Sequence, residues 1–213
     1  MGDSTQFCSD DDNNIALYSS LLQKYGDSYL SLNWGSKVSQ HLRFKVLSEI
    51  GLNPGDSILD VGCGLGDLYE WLKLNDIDIE YSGVDITPAM IDFARKRFPN
   101  VNFIEGNGCN AFEDLNKRFD FILASGIFAH RQKNPVGFLK DSIKDMFKIS
   151  NKGIAFNCLS AWREEKDVDE FYADPVEILN YCRSISNRII FRHDYHSGDF
   201  TIYLYKMDSI KDV

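Results

Sequence analysis

Three glycines, Gly62, Gly64 and Gly66, stand between two acidic residues, Asp60 and Asp85, and the five together suit one kind of ligand. Glycine tolerates positive φ and offers bare backbone, so this run predicts a tight turn pressed against something bound. Dinucleotide-binding turns use the spacing G-x-G-x-x-G and set a pyrophosphate on the following helix. Here the spacing is G-x-G-x-G, and Asp60 precedes the first glycine by two residues. A carboxylate at that place repels a pyrophosphate and favours the amino group of an amino-acid-like ligand. Asp85 lies 19 residues beyond Gly66, the separation a carboxylate needs to reach the ribose hydroxyls of a nucleoside held at the turn. Each hydrogen bond to such a charged acceptor is worth about 1.5–3 kcal/mol. Farther on, the segment SGIFAH ends in His130, whose ordinary pKa near neutrality lets it take a proton from an attacking hydroxyl or amine. The other reading of His130 is a half-exposed loop residue.

Strand tips and helix starts must hold these residues. Ile58, Leu59, Asp60 and Val61 suit a strand buried on both faces, and Asp67 opens a helix with Leu68, Trp71 and Leu72 on one stripe. A second strand over 80–85 ends at Asp85. Thr87 and Pro88 then suit the cap and first position of a helix over 89–98. A third strand over 101–105 leads to Asn107, Gly108 and Cys109, and a fourth over 119–125 is continuously apolar, hence central. Asn134-Pro135 starts a helix over 135–149, a fifth strand covers 153–159, and Asp174 caps another helix. The polar stretch between them puts Trp162 and Arg163 at the same rim. The runs IIFRHDY and FTIYLYK, joined by HSGD, predict an antiparallel hairpin.

Ahead of the sheet, residues 1–14 read as a disordered tail, being rich in Asp, Asn and Ser. A helix over 15–25 carries Ile15, Tyr18, Leu21, Leu22 and Tyr25 at helical spacing. A second helix from about Ser36 turns Val38, Leu42, Val46 and Ile50 inward. Trp34 either closes over the ligand or packs between these helices, and Arg43 either pairs with a ligand carboxylate or belongs to a solvated face.

The acidic residue followed by G-x-G-x-G, with Asp85 and the terminal hairpin, resembles the class I S-adenosylmethionine (SAM)-dependent methyltransferases. That resemblance implies an α/β fold: a Rossmann-like, seven-stranded, mostly parallel sheet with a C-terminal antiparallel hairpin and helices on both faces. It implies a helical lid over 15–50 and a methyltransferase domain over 51–213. It implies SAM as cofactor, with contacts from Trp34, Asp60, Gly62, Cys63, Gly64, Gly66, Asp85, Ile86, Asn107, Gly108, Cys109 and Ser125, and His130 as the candidate catalytic residue. Family members often carry Asp where this chain has Asn107, at the adenine amino group; an amide oxygen accepts that bond as well. The activity implied is methyl transfer to an oxygen or nitrogen of a small-molecule acceptor. The alternative is a SAM-binding pseudoenzyme serving as an interaction or regulatory subunit. Asn134-Pro135 lacks the second proline and aromatic of the N-P-P-Y-type motif of nucleic-acid amino-methyltransferases.

Composition narrows the partners. The 213 residues carry a formal charge of −9, which argues against a groove for nucleic-acid phosphates and against an anionic membrane surface. Cys8, Cys63, Cys109, Cys158 and Cys182 form no C-x-x-C pair, so reduced thiols and a cytoplasmic location are expected. No apolar run is long enough for a bilayer, and the polar first fourteen residues do not resemble a signal peptide. His193 and His196 have H-x-x-H spacing without a third ligand, so no metal is expected. The sequence does not speak to oligomeric state.

Overall fold

Strands that are apolar on both sides need cover on both faces, and the chain supplies it by alternating strands with helices. The computed structural model describes residues 5–108, 118–130 and 132–206, with side chains from residue 10 onward. Helix α1 (Thr5–Tyr25), a single 3-10 turn (Tyr29–Leu32) and α2 (Lys37–Ser48) precede the sheet. There follow β1 (Asp56–Val61), α3 (Asp67–Leu74), β2 (Ile79–Asp85), α4 (Pro88–Arg97), β3 (Asn102–Glu105) and β4 (Phe119–Ala124). The chain closes with α5 (Pro135–Ile149), β5 (Ser150–Leu159), α6 (Pro175–Ile185), β6 (Ile189–Arg192) and β7 (Asp199–Tyr205).

The seven strands lie in the order β3-β2-β1-β4-β5-β7-β6. Pairings from β3 through β5 are parallel, and β7 runs antiparallel to both β5 and β6. This is the expected α/β architecture, with the last strand inserted beside the fifth. Successive residues of a strand face opposite ways, so each strand feeds two cores. Leu59, Val61, Ile122, Ala124 and Phe156 pack with Leu139, Ile143 and Met146 of α5 and Ile178 and Cys182 of α6. Ile58, Tyr81, Phe103, Phe121 and Tyr203 pack with Phe44 and Leu47 of α2, Leu68 and Leu72 of α3 and Ile91 of α4.

Two expectations for the N-terminal segment change. Residues 5–14, read as disordered, are the first part of α1. Tertiary bonds hold this acidic stretch: Asp10 accepts from the Lys133 backbone N–H at 3.2 Å, and Asp11 accepts from the Asn107 side-chain amide. On α2, Val46 is buried but Val38 is 80% exposed. The inward face instead includes Gln40, Arg43, Phe44 and Leu47. The helix meets the sheet at its C-terminal half and the ligand rim at its N-terminal half, so polar side chains occupy part of the inward stripe. Arg43, one of them, is only 6% exposed, which removes the solvated-face reading.

Candidate functional site

The order of strands reverses between β1 and β4, where neighbouring crossovers leave to opposite sides and a crevice opens beyond the carboxyl ends. A cavity of about 880 Å³ fills this crevice. Its floor is the turn between β1 and α3. Gly62, Gly64 and Gly66 have φ of +75°, +52° and +80°, all in the left-handed region that favours glycine. The Gly62 and Cys63 N–H groups donate to the Val84 carbonyl at 2.8 and 3.0 Å, which fastens the turn to the tip of β2.

Asp85 ends β2 and completes that fastening. One carboxylate oxygen accepts from Gly64 N–H at 2.9 Å and the other from Thr87 N–H at 2.8 Å. The Thr87 side chain makes no cap bond at the start of α4, so Asp85 itself does part of the capping assigned to Thr87 by sequence. Burial pushes the Asp85 carboxyl above its usual range, against the pull of these N–H donors. Each carboxylate oxygen still has a lone pair for a hydroxyl at the cavity, which Asp85 lines. Asp60 is buried under the same wall and accepts from the Tyr81 hydroxyl at 2.6 Å. Its burial raises its pKa to about 7, with the Tyr81 hydrogen bond opposing and Asp85 and Asp67 adding. Cys63 is buried, and its thiol is pushed far up by burial and by Asp85 and Asp60, so it stays protonated and serves as packing.

The other rim residues come from three loops. Asn107 and Gly108 follow β3 at the cavity, and Cys109 lies outside the described residues. The Asn107 amide donates to Asp11, so α1 closes on the end of the cavity where sequence reasoning placed adenine. Ile86 lines the wall beside Asp85. At the tip of β4, Asn157 of β5 donates to Ser125 Oγ at 3.1 Å and accepts from Gly126 N–H at 3.0 Å, shaping the turn toward His130. Asn157 escaped the sequence reading because a buried polar residue in an apolar strand has no local signature. Trp34 stands at the mouth: a Cβ on Gly126 would lie 3.0 Å from its ring, and the Arg43 guanidinium sits 5.2 Å from the ring centroid.

His130 lines the cavity with its Nε2 2.5 Å from the hydroxyl of Tyr18. Burial lowers its pKa, and the charge of Glu170, across an isolated β-bridge, opposes the shift. The sequence reading counted Tyr18 as one residue of an apolar helical stripe and missed this partnership. Arg163 lines the cavity as expected, whereas Trp162 packs on His193 at 5.1 Å instead of bordering the acceptor side. His193 meets Ser160 Oγ at 3.0 Å and His196 lines the cavity, so the two histidines serve different places. Arg43 pairs with Asp199 of β7, which commits its charge to the protein.

The donor set fits a nucleoside with an amino-acid tail and a positive centre. Two carboxylates, a glycine cradle and aromatic side chains surround one cavity, and none of them asks for a metal. Among the described residues, no group of three or more His, Cys, Asp or Glu side chains is arranged to hold a metal ion.

Comparison with known proteins agrees with this chemistry. A family model described as a methyltransferase domain matches residues 58–148. A Mycobacterium tuberculosis protein named only as a methyltransferase is 32% identical over 160 residues, which is 70% of this chain and 93% of that one. Demethylmenaquinone methyltransferase of Tropheryma whipplei is 34% identical over 108 residues, but these make up 49% of this chain and 43% of that enzyme. In fold, magnesium protoporphyrin IX methyltransferase from Synechocystis, solved with bound SAM, superposes with a TM-score of 0.60 at 14% identity, over 79% of this chain and 80% of that one.

Proposed function

Since the chain belongs to the class I SAM-dependent methyltransferases, with SAM as its cofactor, we propose that it methylates an oxygen or nitrogen of a small-molecule acceptor. When bound, the cofactor supplies a methyl group on a sulfonium, activated because the departing thioether is neutral. The protein's task is therefore to grip, align and keep water out. In this reading the glycine turn and Asp60 take the amino-acid end, Asp85 accepts from the ribose hydroxyls, and Asn107 and Gly108 meet the adenine. Trp34 covers the mouth as part of the helical lid over 15–50. His130 receives the proton that the acceptor loses.

The observation that carries this reading is the continuity of the cavity. It runs from Asp85 past Ser125 and His130 to Phe138, Met146 and Arg163, so donor and acceptor can share one dry space. Relatives named for a quinone and a porphyrin substrate support a small molecule in that space. The charge of −9 disfavours nucleic acid as the acceptor. A cytoplasmic setting is supported by the buried free thiols of Cys63, Cys158 and Cys182. Among the described residues no helix is long and apolar enough to cross a membrane.

The test is transfer of labelled methyl from SAM to a fractionated small-molecule extract, run beside transfer to total RNA and DNA. Label is expected in the small-molecule fraction alone. Incorporation into nucleic acid, or into nothing, overturns the acceptor class.

A further inference from the structure

His130 stands apart from an ordinary candidate base because its Nε2 is already occupied. The Tyr18 hydroxyl lies 2.5 Å from it, with the two rings edge to face at 84° and 5.3 Å between centroids. Burial and the nearby charge of Asp85 push the Tyr18 phenol well above its ordinary value, so it holds its proton. A phenol that holds its proton donates, hence Nε2 accepts and the single proton of the neutral imidazole sits on Nδ1. An acceptor's proton therefore has no direct route to the Nε2 lone pair.

The two side chains also occupy different depths. Both line the cavity, but Tyr18 is close enough to feel the charge of Asp85, at the proposed ribose site. The charged neighbour of His130 is Glu170, whose backbone bridges its own on the far side. The order from the cofactor side outward is thus Asp85, Tyr18, His130, Glu170.

We propose that Tyr18 is the group that meets the acceptor and passes its proton to His130. The step rests on the acceptor reading given above. The acceptor's X–H bond breaks and its proton joins Tyr18 Oη, while the Tyr18 O–H bond breaks and that proton joins His130 Nε2. The electron pair left on X forms the bond to the methyl carbon, and the C–S pair departs with sulfur. A free phenolate is disfavoured in this buried place, so the two proton shifts occur together. The imidazolium that results faces the Glu170 carboxylate and later returns its proton to solvent. Helix α1, which precedes the sheet, thereby supplies a catalytic residue and not only cover.

Two measurements test this. Long-range ¹⁵N–¹H correlation spectra of the full-length protein read the His130 ring directly: the Nδ1–H tautomer is expected in the wild type, with loss of that preference in Tyr18→Phe. An Nε2–H tautomer in the wild type, or an unchanged ring in the variant, overturns the proposal. In the labelled-methyl assay with the small-molecule extract, Tyr18→Phe should lose tenfold or more in rate while its affinity for S-adenosylhomocysteine by calorimetry stays within twofold. An equal fall in affinity would mark Tyr18 as cofactor wall and sink the relay. Absence of transfer by the wild type refutes the small-molecule reading itself, whereas full transfer by the variant refutes the relay alone.

Discussion

At the scale of single residues, the two acidic groups that flank the glycine turn do different work. Asp85 is anchored by two backbone N–H groups before any ligand arrives, so its carboxylate is preorganised. Replacing it with alanine should weaken SAM binding tenfold or more, about 1.4 kcal/mol. Asp85→Asn keeps one accepting oxygen and should fall between the two; calorimetric affinity equal to wild type in both variants would refute the ribose role. Asp60 is instead a buried acid with its pKa raised from 3.8 to about 7. Between those values the folded state holds a proton that the unfolded chain has released, so stability must fall as pH rises through that window. Urea unfolding of Asp60→Asn across pH 4 to 7 should show less of this decline than the wild type. An identical slope would mean that the carboxyl ionises freely in the fold. Both residues were legible by spacing, since a strand tip two residues before a glycine turn can be counted along the chain. The partners Tyr81 and Tyr18 were not, because they arrive from other elements.

At the scale of elements, the turn after β1 is built against specific neighbours. A Cβ at Gly62 would stand 2.0 Å from Ile127 Cγ2, with φ already at +75°. Gly62→Ala should therefore cost about 2 kcal/mol or more through overpacking and backbone strain. Gly55 makes a control: its φ is +83°, but a Cβ there would meet nothing within 4 Å. Gly55→Ala should cost about 1 kcal/mol, the conformational part alone. Denaturant midpoints for the pair separate the two causes, and equal losses would deny any role to the Ile127 contact. Element order and type were readable because apolar runs, Pro at first helical turns and glycine stops are local signals. The beginning of α1 was not, since Asp10 and Asp11 find their partners at Lys133 and Asn107, far along the chain. The inward face of α2 was misjudged at Val38 for a related reason: what lies opposite a helix decides which stripe is covered.

At the scale of the whole molecule, one ion pair ties the segment before the sheet to its last strand. Arg43 on α2 and Asp199 on β7 are 6% and 1% exposed and face each other across the acceptor end of the cavity. Truncating one partner of such a pair strands a buried charge, so Asp199→Ala should cost about 3–5 kcal/mol in urea unfolding. Removing both charges, as in Arg43→Met with Asp199→Leu, should recover much of that loss. A single variant near wild-type stability would show that water reaches the pair.

The sequence by itself determined the order of strands and helices, the glycine turn, both flanking carboxylates and the class of cofactor, because each of these rests on contacts between residues close in the chain or on fixed separations. Only the tertiary structure decided that Tyr18 meets His130, that Asp11 meets Asn107 and that Arg43 is spent on Asp199. Those pairings join residues separated by roughly half the chain or more, and hydrogen bonds and charges act across a few ångströms of space without regard to sequence distance.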